Sequence, residues 1–137
     1  MSRDVNNLHP KVRAMALELI DACKVAGIKI ILTHTLRTVK EQDELYAQGR
    51  TKPGKVVTNA KGGYSYHNYG LAFDVVPVVG KLAVWDDDNL WNVVGRAGQE
   101  IGLEWGGAWT KFKDKPHFQF TFGLSLAELR AGKKIPE

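Results

Sequence analysis

Asp74 lies in the middle of the apolar run Leu71–Val79, and a fold that buries this run must give its carboxylate a partner. An ionised carboxylate is costly to bury unless it is paired or coordinates a metal. His67 stands seven residues earlier, in Ser65-Tyr66-His67-Asn68-Tyr69-Gly70, and His117 follows Asp114-Lys115-Pro116 in a later apolar segment. Two imidazole nitrogens and one carboxylate oxygen make the donor set of a mononuclear zinc site. A catalytic zinc takes three such ligands and keeps its fourth position for water. His67, Asp74 and His117 are therefore expected to ligate Zn2+, and Asp114, three residues before a ligand, stands where a carboxylate can reach that water. Singly these residues have plainer readings, His67 as a satisfied polar side chain and Asp114 as a turn residue before Pro116. Their combination carries the metal reading. The spacing is not His-Glu-x-x-His, which excludes a zincin-type helix as the metal site.

At 137 residues the chain reads as one domain over 1–137, long enough to bury a core without staples. One cysteine, Cys23, rules out an internal disulfide. No apolar run approaches a membrane span, so no stable membrane insertion is expected. Met1–Asn7 is polar and no apolar stretch follows, which leads us to expect synthesis in the cytoplasm without a signal peptide. The net charge of +4 favours encounter with polyanions, but the basic residues are dispersed. No basic helix or aromatic-interleaved strip is present, and no nucleic-acid partner is expected. Nothing in the pattern calls for more than a monomer.

Hydrophobic spacing predicts a helix over Pro10–Ala26, with Val12, Met15, Ala16, Leu19, Ile20 and Cys23 inward and Gly27 at its stop. Ile28–Thr33 reads as a buried strand. Thr38-x-x-Glu41 is a capping box for a short helix that Gly49 ends. Arg50–Gly63 reads as an exposed loop with a small strand at Val56-Val57. Leu71–Val79 is a strand that Gly80-Lys81 turns into Leu82–Trp85. Asp87–Ile101 is a second long helix with Leu90, Val93, Val94, Ala97 and Ile101 on one face, and Gly102 stops it. Asp86-Asp87-Asp88 lacks the EF-hand pattern and fits capping of this helix. Pro116–Phe122 alternates as a half-buried strand would, and Ser125-x-x-Glu128 caps a last short helix. The mixture, without regular βαβ alternation, predicts an α+β fold: a small, largely antiparallel sheet flanked by two long helices and short ones.

The pattern Ser65-x-His67-x-x-Gly70-x-Ala72-x-Asp74, followed by Asp114-x-x-His117, resembles the zinc D,D-peptidase superfamily, peptidase family M15. Leu36-Arg37-Thr38 with Gln42, Leu45–Thr51, Glu104-Trp105-Gly106-Gly107 and Thr121–Ser125 extend the likeness over nearly the whole chain. The branch that it most resembles is the L-alanyl-D-glutamate peptidases of phage endolysins and bacterial wall hydrolases. The dipeptidase branch carries Glu three residues before the last histidine, whereas this chain has Asp114. In the endopeptidase branch an acidic residue often precedes the second tryptophan of Trp-Gly-Gly-x-Trp; here Ala108 stands there.

The resemblance implies the hedgehog/D,D-peptidase-like form of the fold and catalytic roles for Asp114, which shuttles the proton of the attacking water, and Arg37, which binds the substrate carbonyl and the developing oxyanion. It implies substrate-binding or orienting roles for Gln42 and Ser65. Trp105 and Trp109 are core or cleft-wall aromatics, with Trp105 the candidate for substrate contact. The expected activity is zinc-dependent cleavage of peptidoglycan stem peptides at the L-alanyl-D-glutamate bond. The expected setting is an endolysin without a wall-binding module, released to the cell wall through a holin-type pore. Two alternatives stand beside it: a D-alanyl-D-alanine carboxypeptidase or dipeptidase, and a non-catalytic metal-bearing binding domain. His9 and His34 belong to no motif and are read as structural.

Overall fold

A computed structural model describes residues 1–137. Helix α1 spans Pro10–Val25; His9 caps it by accepting the Lys11 N–H on Nδ1, and Val12, Met15, Ala16, Leu19 and Cys23 form its buried face. Strand β1 (Lys29–His34) follows, then α2 (Val39–Ala47), whose capping box between Thr38 and Glu41 is formed in both directions. Strand β2 (Ala72–Val79) and the short β3 (Leu82–Ala83) make a hairpin, and Asp87 caps α3 (Asp88–Ile101). Strands β4 (Glu104–Trp105) and β5 (His117–Gln119) precede α4 (Leu126–Arg130), opened by the Ser125–Glu128 capping box. No helix is long and apolar enough to cross a membrane.

The strands pair in the order β1-β2-β5-β4, with β3 beside β2, and every pairing is antiparallel. This is the expected α+β architecture. Asp74 stands opposite His117, Phe73 opposite Phe118 and Ala72 opposite Gln119; Glu104 stands opposite Gln119 on the next strand. Directly opposed residues share a face, and the face alternates along each strand. One face of the sheet therefore carries Glu104, Gln119, His117 and Asp74. The other carries Phe73 and Phe118, whose stacked rings are 5.8 Å apart within the core built by α1 and α3. An irregularity in β1 between Leu32 and His34 brings His34 opposite Asp74. A bulge of this kind re-aims a side chain at a sheet edge.

Three expectations are corrected. Val56-Val57 forms no strand and both side chains are exposed. The strand expected over Pro116–Phe122 is confined to His117–Gln119, and all three residues are buried rather than alternating. Core packing covers one face of this strand and the polar cluster covers the other, while Phe122 at φ 55° turns the chain away. The buried face of α3 is Trp91, Val94, Gly95 and Gly98, with Val93 exposed. A Cβ at Gly95 would overlap the Trp105 ring and one at Gly98 the Phe118 ring, so the closest helix–sheet approach runs along residues that apolar periodicity does not count.

Candidate metal centre and cleft

His67 sits in a 3-10 turn, Tyr66–Tyr69, which follows α2 and the long segment 48–65 and leads into β2. Ser65 opens this turn, its Oγ accepting the His67 N–H at 3.2 Å, and Gly70 closes it at φ 70°. A Cβ on Gly70 would lie 3.2 Å from the His9 backbone nitrogen, and the His9 N–H donates to the Gly70 carbonyl at 3.0 Å. The turn is thus pressed against the start of α1, where only glycine fits both the left-handed φ and the close approach. The Arg37 N–H donates to the His67 carbonyl and the Asn68 side-chain amide donates to the Arg37 carbonyl, each at 3.0 Å. These bonds fasten the loop carrying Arg37 to the turn carrying His67.

The three expected ligands converge: their donor atoms all lie within 4.8 Å of one another. His67 Nε2 is 3.3 Å, and His117 Nδ1 3.5 Å, from the same oxygen, Oδ1 of Asp74. His67 Nδ1 lies 2.9 Å from the Thr35 carbonyl, which can only accept, so this nitrogen carries the proton. His117 Nε2 lies 2.7 Å from Oε1 of Gln119, again an acceptor. Two neutral rings so engaged turn their lone pairs on a carboxylate oxygen that is itself buried without a hydrogen-bond partner. Three acceptors facing one point fit a cation, and His2Asp with both outer ring nitrogens occupied fits zinc. When protonated, the same ring nitrogens donate to Asp74 instead of facing a cation, and the electrostatics describe that form. Burial alone would raise the Asp74 carboxyl, but the imidazoles of His117, His34 and His67 outweigh it and hold the group well below the usual carboxylate range. Burial would lower the His117 ring; Asp74, Gln119 and Asp114 outweigh it and raise the ring.

The cluster opens into a cleft of about 1240 Å³ that His34, Arg37, Ser65, Trp109 and Asp114 help to line. Asp114 is half-exposed, with Oδ2 3.9 Å from His117 Nδ1. Burial lifts its carboxyl above the ordinary value, with His117 opposing and Asp74 reinforcing the shift. Arg37 donates from Nη1 to Oε1 of Gln42 at 3.0 Å, and Gln42 donates to the Ala60 carbonyl at 2.7 Å. Burial lowers the guanidinium pKa while Asp74, Glu41 and Asp114 oppose that shift. An arginine remains charged throughout the range in which proteins work.

Gln42 is fully buried, does not line the cleft and accepts from Arg37. Trp105 likewise lies outside the cleft: it packs against α3 and donates its indole N–H to the Lys115 carbonyl at 2.8 Å. Trp109 takes the cleft-wall position instead, its ring 5.3 Å from that of His117. His9 is structural, capping α1 and bonding Pro136. His34 is not merely structural, because its Nδ1 lies 3.4 Å from Oδ2 of Asp74 on the cleft wall. The β1 irregularity that places it there leaves no trace in hydrophobic spacing. Glu104 and Gln119, which back His117, also went unassigned in the sequence; their cross-strand register with Asp74 is the signal that finds them.

Proteins that share this fold and sequence pattern define a class of peptidases. The sequence model of a family described as D-alanyl-D-alanine carboxypeptidase, within the M15 peptidases, matches residues 58–120. Over 123 residues the chain is 45% identical to the peptidoglycan L-alanyl-D-glutamate endopeptidase CwlK of Bacillus subtilis, covering 83% of this chain and 74% of that protein. The chain belongs to this family of peptidases. It is also 32% identical over 122 residues to the L-alanyl-D-glutamate peptidase of Listeria phage A118, covering 87% of this chain but 40% of the phage protein. Among solved structures, the L-Ala D-Glu endopeptidase ChiX of Serratia marcescens superposes with a TM-score of 0.60 at 26% identity, covering 95% of this chain and 87% of that one.

Proposed function

We propose that the chain is a zinc-dependent peptidoglycan endopeptidase that hydrolyses the L-alanyl-D-glutamate bond of stem peptides. One observation carries this reading: His67, Asp74 and His117 bring their donor atoms within 4.8 Å of one another, around an Asp74 oxygen without a hydrogen-bond partner, in a cleft that also presents Asp114 and Arg37. The names of the CwlK, phage and ChiX relatives point to the bond. A cleft of about 1240 Å³ has room for a stretch of peptide rather than a single amino acid.

His67 through Nε2, Asp74 through Oδ1 and His117 through Nδ1 would hold the metal. Zinc so held supplies Lewis acidity and a water that ionises near neutral pH. Asp114 takes up the proton of the attacking water on its carboxylate and returns it to the leaving amine. Its raised pKa brings it closer to the pH at which both transfers run. Arg37, held by buried Gln42, offers a fixed positive charge to the substrate carbonyl and to the oxyanion that develops there. Ser65 acts through the turn that aims His67. The phage relative supports a setting as an endolysin made in the cytoplasm and released to the wall through a holin-type pore, with residues 1–137 acting as one catalytic domain.

Mass spectrometry of purified peptidoglycan digested with and without a zinc chelator tests the reading. New N-terminal D-glutamate and muramoyl-L-alanine ends, lost with chelator and restored by zinc, are expected. The family description matched over residues 58–120 favours a second reading, a D-alanyl-D-alanine carboxypeptidase. Release of D-alanine without those new ends would establish it in place of the first.

A further inference from the structure

We propose that Glu104 is a positioning residue: acting through Gln119, it holds His117 in the tautomer whose Nδ1 is free to ligate, while it fixes Trp109 on the cleft wall. This rests on the metal-site reading of His67, Asp74 and His117. Oε2 of Glu104 receives two groups, Nε1 of Trp109 at 2.9 Å and Nε2 of Gln119 at 3.0 Å. An ionised carboxylate only accepts and an indole nitrogen only donates. Beside that carboxylate the Gln119 amide is stable only with its NH2 group inward, which turns Oε1 toward His117 Nε2 at 2.7 Å. An oxygen there accepts, so Nε2 bears the proton. A neutral imidazole has one N–H, and Nδ1 keeps its lone pair facing Asp74.

The two histidines are secured differently. The tautomer of His67 is set by a main-chain carbonyl, that of Thr35, which cannot rotate away. The tautomer of His117 is set by a side-chain amide that presents oxygen or nitrogen according to what lies behind it. Glu104 is the group behind it, standing opposite Gln119 across β4 and β5 and itself exposed. Without Glu104 the amide can turn over and offer its NH2 to Nε2. That selects the other tautomer, with the proton on Nδ1 and no lone pair for a metal. Loss of an outer partner to a metal-ligating histidine typically weakens metal binding about 10–100-fold.

The test uses the full chain with Glu104→Ala, Gln119→Ala and the double variant. Zinc affinity is read by competition with a chromophoric chelator. Glu104→Ala is expected to weaken binding by about 10–100-fold. The double variant is expected to bind no more weakly than Gln119→Ala alone, since Glu104 acts through Gln119. In metal-free protein, at a pH where the ring is neutral, the 15N shifts of His117 are expected to show a single Nε2–H tautomer in the wild type and a mixture in Glu104→Ala. Unchanged affinity with an unchanged tautomer in Glu104→Ala overturns the proposal, as does full additivity in the double variant. A wild-type chain that binds no zinc removes the metal reading, and the 15N shifts then decide the role of Glu104 by themselves.

Discussion

Asp74 and His117 stand directly opposite each other on β2 and β5, with Nδ1 of the ring 3.5 Å from Oδ1 of the carboxylate. With the ring neutral and its one proton committed to Gln119, neither atom has a proton to share. On the proposed metal reading the pair faces a bound cation, which links metal loading to stability. Zinc at about 100 times its dissociation constant adds roughly 2.7 kcal/mol to the folded state, which for a domain of this size raises Tm by on the order of 10 °C. Calorimetry with and without chelator should show that difference, and Asp74→Asn should abolish it. An equal shift in Asp74→Asn would remove Asp74 from the metal site.

Asp114→Ala should lower kcat by about 10²–10⁴-fold while zinc affinity stays near wild type. Because burial raises this carboxyl, the ionised form that acts as a base is present only above the raised value. The acid limb of the kcat profile is expected at a higher pH than an ordinary aspartate would give, and to vanish from the residual activity of the variant. A variant that still lyses sacculi at the wild-type rate sinks the assignment.

Arg37→Lys keeps the charge but loses the planar fork held by Gln42, and should cost about 10²–10³-fold in kcat/KM. Gln42→Ala should reproduce part of that loss and also destabilise the fold by about 1–3 kcal/mol, because the Ala60 carbonyl loses its donor inside the protein. Denaturant melts and steady-state kinetics on the two variants separate the roles. A Gln42→Ala protein that lost only substrate affinity would return Gln42 to direct substrate contact.

Gly98→Ala tests the close approach of α3 to the sheet. In an exposed helix this change gains about 1 kcal/mol. Here the added methyl meets the ring of Phe118, which is fully buried and stacked on Phe73 and cannot give way. Overpacking should win, with a net loss of about 1–3 kcal/mol in urea unfolding.

Cys23 is buried on α1, and burial pushes its thiol up to about 11. A folded-state pKa above the unfolded one means that this contribution to stability is fully present below the unfolded thiol's pKa. It is lost as pH rises through about 11. The urea midpoint should fall over that window in the wild type and less in Cys23→Ala. At pH 8 a thiol reagent should label the chain only as fast as it opens.

The long elements were legible because their signals are local. Pro10 and Gly27 bracket α1, Thr38 with Glu41 and Ser125 with Glu128 cap their helices, and the β-branched run Leu71–Val79 makes β2. The convergence of His67, Asp74 and His117 was legible because Asp74 breaks an apolar strand. What escaped depends on register and shape. His34 reaches Asp74 only through an irregularity in β1, and Glu104 reaches His117 only through cross-strand pairing. The tilt of α3 is set by Gly95 and Gly98, whose missing side chains carry no hydrophobic signal. Trp105 and Trp109 are chemically alike in the sequence, and only the turn at Gly106–Ala108 sends one inward and the other to the cleft.

The alternation on the central strands also governs which changes of chain length the molecule can survive. A single residue gained or lost within β2 or β5 would rotate every later side chain to the opposite face, carrying Phe73 or Phe118 into the cleft and Asp74 or His117 into the core. The same event would dismantle catalysis and folding together, so the sheet leaves no intermediate lineage that is stable but inactive by slippage. The exposed residues 50–56 carry no such parity, and a change of length there leaves the register of Asp74 and His117 in place.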